Sequence, residues 1–348
     1  MPSPATANRR ADRAALALSM LCAIGCTPEP SASTESPPPS VAAPAPAAPP
    51  LPIADAPPID GVARTAPDAI DDGLHVVLLG TGTPVPSPRR SGPALAVIAA
   101  GRPYLVDFGP GVVRRAVEAQ ERGVVALDPT RLDFALATHL HSDHTAGLSD
   151  LLLTPAVVGR GRPLRLRGPT GLVAMADHIV AAYRTDLAVR RGERSEAQMA
   201  GYRVEARDIE AGLVHADGPL RIRAFDVPHG SFDAAFGYRF DDGRRRIVVS
   251  GDTGPSDAVV EACDGCDVLV HEVYCKAGFD RGGADFRKYH GSFHTSAPQL
   301  AALAVRARPK LLVLSHLLLF GCSERQLLDE VVAGYRGRVA LGRDLDVF

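Results

Sequence analysis

The segment Thr138–His144 reads THLHSDH and places four side chains able to bind metal ions, His139, His141, Asp143 and His144, within six residues. It directly follows an apolar run of strand length, so it lies in a loop at a strand end. Alternate residues of an extended segment point to the same side, which groups His139 with His141, and a turn then presents Asp143 and His144 as a second pair. This spacing predicts a site for two divalent ions.

Three later segments supply further ligands in the same way. His229, Asp252 and His316 each follow a short apolar run that predicts a strand. Imidazole and carboxylate groups suit Zn²⁺, and two ions about 3.5 to 4 Å apart lower the pKa of a shared water. The predicted nucleophile is therefore a metal-activated water, and the chain offers no Gly-x-Ser-x-Gly elbow that would supply a serine instead.

Short apolar runs alternate with helical stretches along the rest of the chain, which favours layered sheets covered by helices. The predicted strands are 75–79, 94–99, 104–107, 134–138, 164–167, 220–227, 237–240, 246–250, 268–271 and 311–314. The predicted helices include 111–122, 170–183, 256–262, 297–306 and 324–335, and a further short helix follows the metal-binding loop.

The motifs together resemble the metallo-β-lactamase superfamily and, within it, the ribonuclease Z and arylsulfatase-like branch, over residues 74–348. Besides the ligand segments, the resemblance rests on Leu79–Pro84, Asp107–Gly111, Gly237–Arg239, His271-Glu272 and Phe293–Ser296. It implies an α/β fold, a four-layer αββα sandwich of two mixed β-sheets flanked by helices. It also implies two Zn²⁺ ions per chain, one bound by His139, His141 and His229, the other by Asp143, His144 and His316, with Asp252 bridging them.

The resemblance further implies a proton donor for the leaving group. His294 matches the family's histidine that is not a ligand, and an imidazole of ordinary pKa near about 6.5 suits this task. Glu272 is predicted to orient His294, and Asp143 is assigned to the catalytic machinery as well as to a metal. Asp107 and His271 are expected to hold the ligands through hydrogen bonds.

The N-terminal part of the chain predicts export. Arg9, Arg10 and Arg13 precede an apolar run that ends in Ala23-Ile24-Gly25-Cys26, which resembles a bacterial lipobox. We expect residues 1–25 to be a lipoprotein-type signal peptide, Cys26 to carry the lipid that holds the protein at a membrane, and the outer membrane to be its location. Residues 26–72, rich in Pro, Ala and Ser, predict a disordered linker before a hydrolase domain at 73–348.

Two other features are read as structural. The folded part contains Cys263, Cys266, Cys275 and Cys322. Disulfide bonds between them are compatible with export, but the sequence does not reveal which cysteines pair. The arginines at 160, 162, 165 and 167 are interpreted as solvated surface charges rather than as an anion site.

The sequence favours hydrolysis of a sulfate or phosphate ester of a small molecule. A ribonuclease Z-type endoribonuclease that processes tRNA 3′ ends is an alternative, but His229 and Asp252 are only 23 residues apart, which leaves no room there for an RNA-gripping arm. The formal net charge of −2 and the predicted export also disfavour nucleic acid as a partner.

Two further alternatives remain. A lactone or β-lactam hydrolase would need no proton donor such as His294, and a non-catalytic surface binding module would be expected to have lost at least one ligand. The sequence leaves a homodimer open.

Overall fold

The computed structural model describes residues 60–66 and 69–348. Six strands form the first sheet, in chain order: β1 (His75–Gly80), β2 (Ala94–Ala99), β3 (Arg102–Val106), β4 (Phe134–Leu136), β5 (Leu164–Gly168) and β6 (Val204–Asp208). The first three strands pair antiparallel and β3 to β6 pair parallel, so the sheet is mixed.

The second sheet repeats this arrangement, with antiparallel strands first and parallel strands after them in chain order. Its seven strands are β7 (Gly212–Asp217), β8 (Leu220–Asp226), β9 (Phe236–Asp241), β10 (Arg246–Val249), β11 (Val268–Tyr274), β12 (Leu312–Leu318) and β13 (Val339–Leu341). Antiparallel pairing runs from β7 to β10, and parallel pairing continues from β10 through β13.

Eleven α-helices are described in these residues. They are α1 (Val112–Glu121), α2 (Ser142–Thr145), α3 (Leu148–Val157), α4 (Leu172–Ala182), α5 (Arg184–Glu193), α6 (Glu196–Met199), α7 (Asp257–Cys263), α8 (Lys276–Asp280), α9 (Ala284–Phe293), α10 (Ala297–Ala307) and α11 (Glu324–Gly334). Ser296 and Ser323 are the N-cap residues of α10 and α11, and each of these serines forms a capping box with the glutamine three residues later.

Successive side chains along a strand point to opposite faces of the sheet, and this alternation produces the layers. In β1, Val76 and Leu78 pack into the core between the two sheets, whereas Val77 and Leu79 face the core shared with α1, α3 and α4. On the other side, a third core lies between the second sheet and helices α7, α10 and α11. The predicted four-layer sandwich of two mixed sheets flanked by helices is confirmed.

The sequence did not predict strands β6, β7 and β13. Strands β6 and β7 lie at sheet edges and alternate partly buried with exposed residues, so neither contains a continuous apolar run. The three residues of β13 are buried, but a run of that length carries little periodicity. Pairing with a neighbouring strand, rather than local pattern, defines all three.

Residues 60–66 extend the packed part of the chain upstream of residue 73, the predicted start of the domain. Asp60 accepts a hydrogen bond from the backbone N–H of Leu341 at 2.7 Å, and Arg64 forms ion pairs with Asp60 and Asp346. The backbone N–H of Thr65 donates to Val347 O. These contacts fasten the segment to the C-terminal residues, so residues 60–66 do not belong to a disordered linker.

The predicted signal peptide, Cys26 and the linker up to residue 59 lie outside the described residues. Within the part of the chain that the structure describes, no helix combines the length and the apolarity that crossing a bilayer requires.

The cysteines and Arg160 acquire structural roles. Cys263 is bonded to Cys266, and Cys275 is bonded to Cys322. The interpretation of Arg160 as a solvated charge is wrong: its side chain is 1% exposed and donates hydrogen bonds to four backbone carbonyls.

Candidate metal centre

The predicted ligands converge at one edge of the sandwich because the strands that precede them end there. The loop that carries His139 and His141 follows β4, His229 follows β8, and Asp252 follows β10. His316 differs from the prediction, since β12 does not end before it. The ladder between β11 and β12 shifts register at this point, and His316, with φ of 48°, is the unpaired residue of the bulge.

One group of ligands consists of three imidazoles. His139 Nε2 lies 2.9 Å from His141 Nδ1, and His229 Nε2 lies 3.1 Å from the same atom. Burial holds the pKa of His139 well below its usual value and lowers the pKa of His229 to about 4. Both rings are therefore neutral at pH 7 and present lone pairs.

A second group combines carboxylates with imidazoles. His316 Nε2 lies 3.3 Å from Asp143 Oδ2 and 3.3 Å from Asp252 Oδ2, and His144 Nε2 lies 3.4 Å from the same Asp252 oxygen. Although burial raises it, the pKa of Asp252 is held well below its usual value by His316 and His144. Asp252 is thus a buried anion between the two groups, as a bridging ligand would be.

Hydrogen bonds to the far side of the rings fix which nitrogen faces the centre. His144 Nδ1 donates to Asp107 Oδ2 at 2.8 Å, and His229 Nδ1 donates to the backbone carbonyl of Phe293 at 2.9 Å. Asp107 also accepts from the backbone N–H of Thr138 at 2.8 Å. The proton therefore sits on Nδ1 in both rings, and Nε2 is free to bind a cation.

The donor set fits divalent metal ions. His141 Nδ1 is within hydrogen-bonding distance of two other imidazole nitrogens, yet neutral rings cannot supply protons for all of these contacts. The buried Nε2 of His144 has no hydrogen-bond partner among the described residues. Cations at these positions would satisfy the imidazole lone pairs and balance the charge of Asp143 and Asp252. The ligand atoms of all seven predicted residues fall into groups whose members lie within 4.8 Å of one another.

His294 and Glu272 lie beside this centre. His294 Nδ1 is 3.4 Å from Glu272 Oε1 and 3.8 Å from Asp252 Oδ2. The backbone N–H groups of Thr253 and Thr295 donate to the same Glu272 oxygen, so this carboxyl group is fixed in place. Burial, assisted by the charge of Asp252, raises the pKa of Glu272 well above its usual value.

Two groups that contact the ligand histidines could not be predicted from the sequence. The Phe293 carbonyl positions His229, and a backbone acceptor cannot be recognised from residue type. The ring of Phe232 packs against His141 and His229, with centroid distances of 4.6 and 5.5 Å. A phenylalanine in a loop does not by itself predict a contact with ligand rings, because that contact depends on the fold.

The fold and the site together define a metal-dependent hydrolase of ester bonds on a two-sheet sandwich. A family model described as the beta-lactamase superfamily domain matches residues 102–317. A relative in Mycobacterium marinum, called ribonuclease Z, is 31% identical over 277 residues, which cover 78% of this chain and 97% of that protein.

Solved structures agree with this assignment. The human tRNase Z short form is 27% identical with a TM-score of 0.57, over 79% of this chain and 98% of that one. A metallo-β-lactamase fold protein of Bacillus subtilis, 17% identical, shares the fold with a TM-score of 0.60 over 80% of this chain and 99% of its own. The chain belongs to the metallo-β-lactamase superfamily, in its ribonuclease Z branch.

Proposed function

We propose that this protein is a dizinc phosphodiesterase that cleaves RNA in the manner of ribonuclease Z. The observation that carries the proposal is the convergence of seven imidazole and carboxylate ligands, with His294 and Glu272 beside them, in a chain whose relatives bear that name. This reverses the order given by the sequence alone, in which small sulfate or phosphate esters came first and nucleic acid was disfavoured.

The missing arm does not count against RNA. The connection from His229 to Asp252 consists of a short loop and the hairpin of β9 and β10. The Mycobacterium marinum relative aligns over 97% of its length with this chain, so a long arm is not shared by all proteins of that name. A formal net charge of −2 limits only the non-specific part of RNA affinity.

The ligands would hold two zinc ions in adjacent positions. His139, His141 and His229 suit one ion, and Asp143, His144 and His316 suit the other, with Asp252 between them. Two such ions would lower the pKa of a water and withdraw charge from the phosphoryl oxygens.

Within the chain itself, we propose that His294 gives a proton to the leaving oxygen. Burial lowers the pKa of His294 to about 4, against the pull of Asp252, so its ring is neutral at pH 7 before substrate binds. The residue type alone predicts an ordinary pKa, and the burial of the ring is what lowers it. The negative charge of a bound phosphodiester favours the imidazolium form, and Glu272 Oε1, 3.4 Å from His294 Nδ1, would orient the ring once it is protonated.

A direct assay distinguishes the candidate reactions. The full-length protein, loaded with zinc, is incubated with a precursor tRNA that carries a 3′ trailer, with bis-p-nitrophenyl phosphate and with p-nitrophenyl sulfate. We expect endonucleolytic cleavage of the RNA and hydrolysis of the phosphodiester, both lost in Asp252→Ala. Turnover of the sulfate ester without cleavage of either phosphodiester would overturn the proposal.

We propose, separately, that the protein acts outside the cytoplasm, anchored through a lipid on Cys26 and sorted to the outer membrane. The bonded pairs Cys263–Cys266 and Cys275–Cys322 support an oxidising compartment. This location restricts which RNA the site meets and leaves the chemistry unchanged. Cys26→Ala should release the protein from the membrane fraction, and a variant that still sediments with membranes would argue against the anchor.

A further inference from the structure

Helix α9 carries a row of aromatic rings that ends at the metal centre. Tyr289 and Phe293 are four residues apart and so lie on one face of the helix. Their rings stack at a centroid distance of 4.5 Å with an interplanar angle of 28°. The Phe293 ring in turn contacts the rings of His229 at 4.9 Å and His141 at 5.9 Å.

The inner ring of this row is fixed, and the outer ring is open. Phe293 is 8% exposed and lies directly over Gly230, where a Cβ atom would approach its ring to 2.1 Å. Tyr289 is 50% exposed, although one face of its ring is covered by Phe293. A large aromatic ring is therefore presented to solvent on a rigid support, one ring away from two predicted zinc ligands.

We propose that Tyr289 is a stacking platform for a nucleobase next to the scissile phosphate. The inference rests on the proposed phosphodiesterase function and adds to it a site that recognises the base. Every nucleobase offers a flat π-face, and stacking on an exposed aromatic side chain does not depend on sequence. A base stacked on Tyr289 would place its own phosphate toward the metal centre, because the Phe293 ring that supports Tyr289 also contacts His229 and His141.

The charge beside the platform agrees with a polyanionic ligand. The chain has three lysines, and Lys276 and Lys310 form ion pairs with Asp280 and Asp267. The third, Lys288, is the residue before Tyr289, is exposed, and forms no ion pair within the described residues. An ammonium group left without a carboxylate at this point is available to a phosphate of the same strand.

A pair of substrates with one leaving group tests the platform. The p-nitrophenyl ester of thymidine 5′-monophosphate carries a base, and methyl p-nitrophenyl phosphate does not. In Tyr289→Ala we expect the kcat/KM ratio of the first to the second to fall about 5- to 100-fold, mainly through KM. Tyr289→Phe should keep the wild-type ratio, because stacking needs the ring and not the hydroxyl.

Tyr183→Ala is the matched control. Tyr183 is 40% exposed, follows helix α4 and belongs neither to helix α9 nor to a ligand-bearing segment, so its removal should leave the ratio unchanged. An unchanged ratio in Tyr289→Ala, or a fall in Tyr289→Phe equal to that in Tyr289→Ala, would overturn the proposal.

Binding gives a second readout that needs no turnover. The chain contains no tryptophan, so Tyr289→Trp introduces a single fluorophore at the platform. We expect adenosine 5′-monophosphate to quench it saturably and ribose 5-phosphate, which has no base, to quench it far less. Equal quenching by the two, or none by either, would contradict base stacking. If the wild-type protein hydrolyses no phosphodiester, the proposed function fails, while this measurement still decides the role of Tyr289.

Discussion

Asp107 accepts hydrogen bonds from the backbone N–H of Thr138 and from His144 Nδ1, so one carboxylate fixes both the metal-binding loop and a ring that the loop carries. Its backbone has φ of 59°, a conformation uncommon outside glycine that turns the chain at the end of β3. Asp107 therefore acts on the predicted metal through His144, without being a ligand.

Asp107→Asn should weaken zinc binding by about 10- to 100-fold, because an amide supports the His144 tautomer poorly. Competition with a chromogenic chelator measures the affinity. Asp71→Asn is the control: Asp71 is also hydrogen-bonded to a histidine, His75, but neither residue belongs to a ligand group, and zinc affinity should stay at the wild-type value. Equal affinities in the two variants would contradict the role of Asp107.

Buried histidines also make stability depend on pH. Burial lowers the pKa of His229, His271 and His294 to about 4, whereas an unfolded histidine titrates near about 6.5. Between these values the unfolded chain binds more protons than the folded one, so acidification favours unfolding. The pKa values of His144 and His316, raised chiefly by Asp252, and that of Glu272, raised by burial, act in the opposite direction. These three groups are outnumbered, because burial also lowers the pKa values of His139 and His141.

We therefore expect the zinc-free protein to unfold at a lower urea concentration at pH 5 than at pH 7. His271→Gln should reduce this difference, while His178→Gln, at an exposed helix position, should preserve it. A urea midpoint that rises on acidification would show that the sign is wrong.

At the scale of elements, Arg160 joins pieces that are separate in sequence. Its guanidinium donates to the carbonyls of Leu132, Leu151, Leu152 and Gly201 at 2.7 to 2.9 Å. These carbonyls belong to the segment before β4, to α3 and to the turn before β6. The residue thus anchors α3, the helix that follows the metal-binding loop.

Arg160→Met should lower the free energy of unfolding by at least about 3 kcal/mol, because four buried carbonyls lose their donors. Urea unfolding followed by circular dichroism measures it. Arg162→Met is the matched control, since the Arg162 side chain is 62% exposed and its one ion pair among the described residues is with Asp133, and its cost should stay below about 1 kcal/mol. Similar losses of unfolding free energy in both variants would contradict the structural role of Arg160.

At the scale of the whole molecule, the two disulfides differ in the chain they enclose. Cys275 and Cys322 are 47 residues apart and join the segments that follow β11 and β12, whereas Cys263 and Cys266 are three apart. Closing the longer loop restricts the unfolded chain more. The Cys275–Cys322 bond should thus contribute more to stability.

Replacing Cys275 and Cys322 together with serine should cost about 4 kcal/mol, against about 2 kcal/mol for the other pair. Thermal unfolding of the two double variants compares them. A larger loss for the Cys263 and Cys266 variant would contradict this order.

The periodic parts of the molecule were accessible from sequence. Strand β2 was predicted over its observed residues, and α10 was predicted to within one residue, because an apolar run and a helical stripe opened by Ser296 are local signals. Helix α9 was missed because its exposed polar residues, its aromatic residues and Gly291 give no simple apolar stripe. It forms where its aromatic face packs on the metal centre and on Phe279 and Phe320.

Sequence alone determined the layered fold and the identity of the seven ligand candidates, because strand periodicity and donor chemistry depend only on residue type and spacing. Only the tertiary structure decided that His316 leaves its strand through a bulge, that Arg160 is buried, and that Tyr289 stands open beside the centre. These features depend on which atoms meet across long separations in the chain. A pattern of neighbours along the sequence carries no record of such contacts.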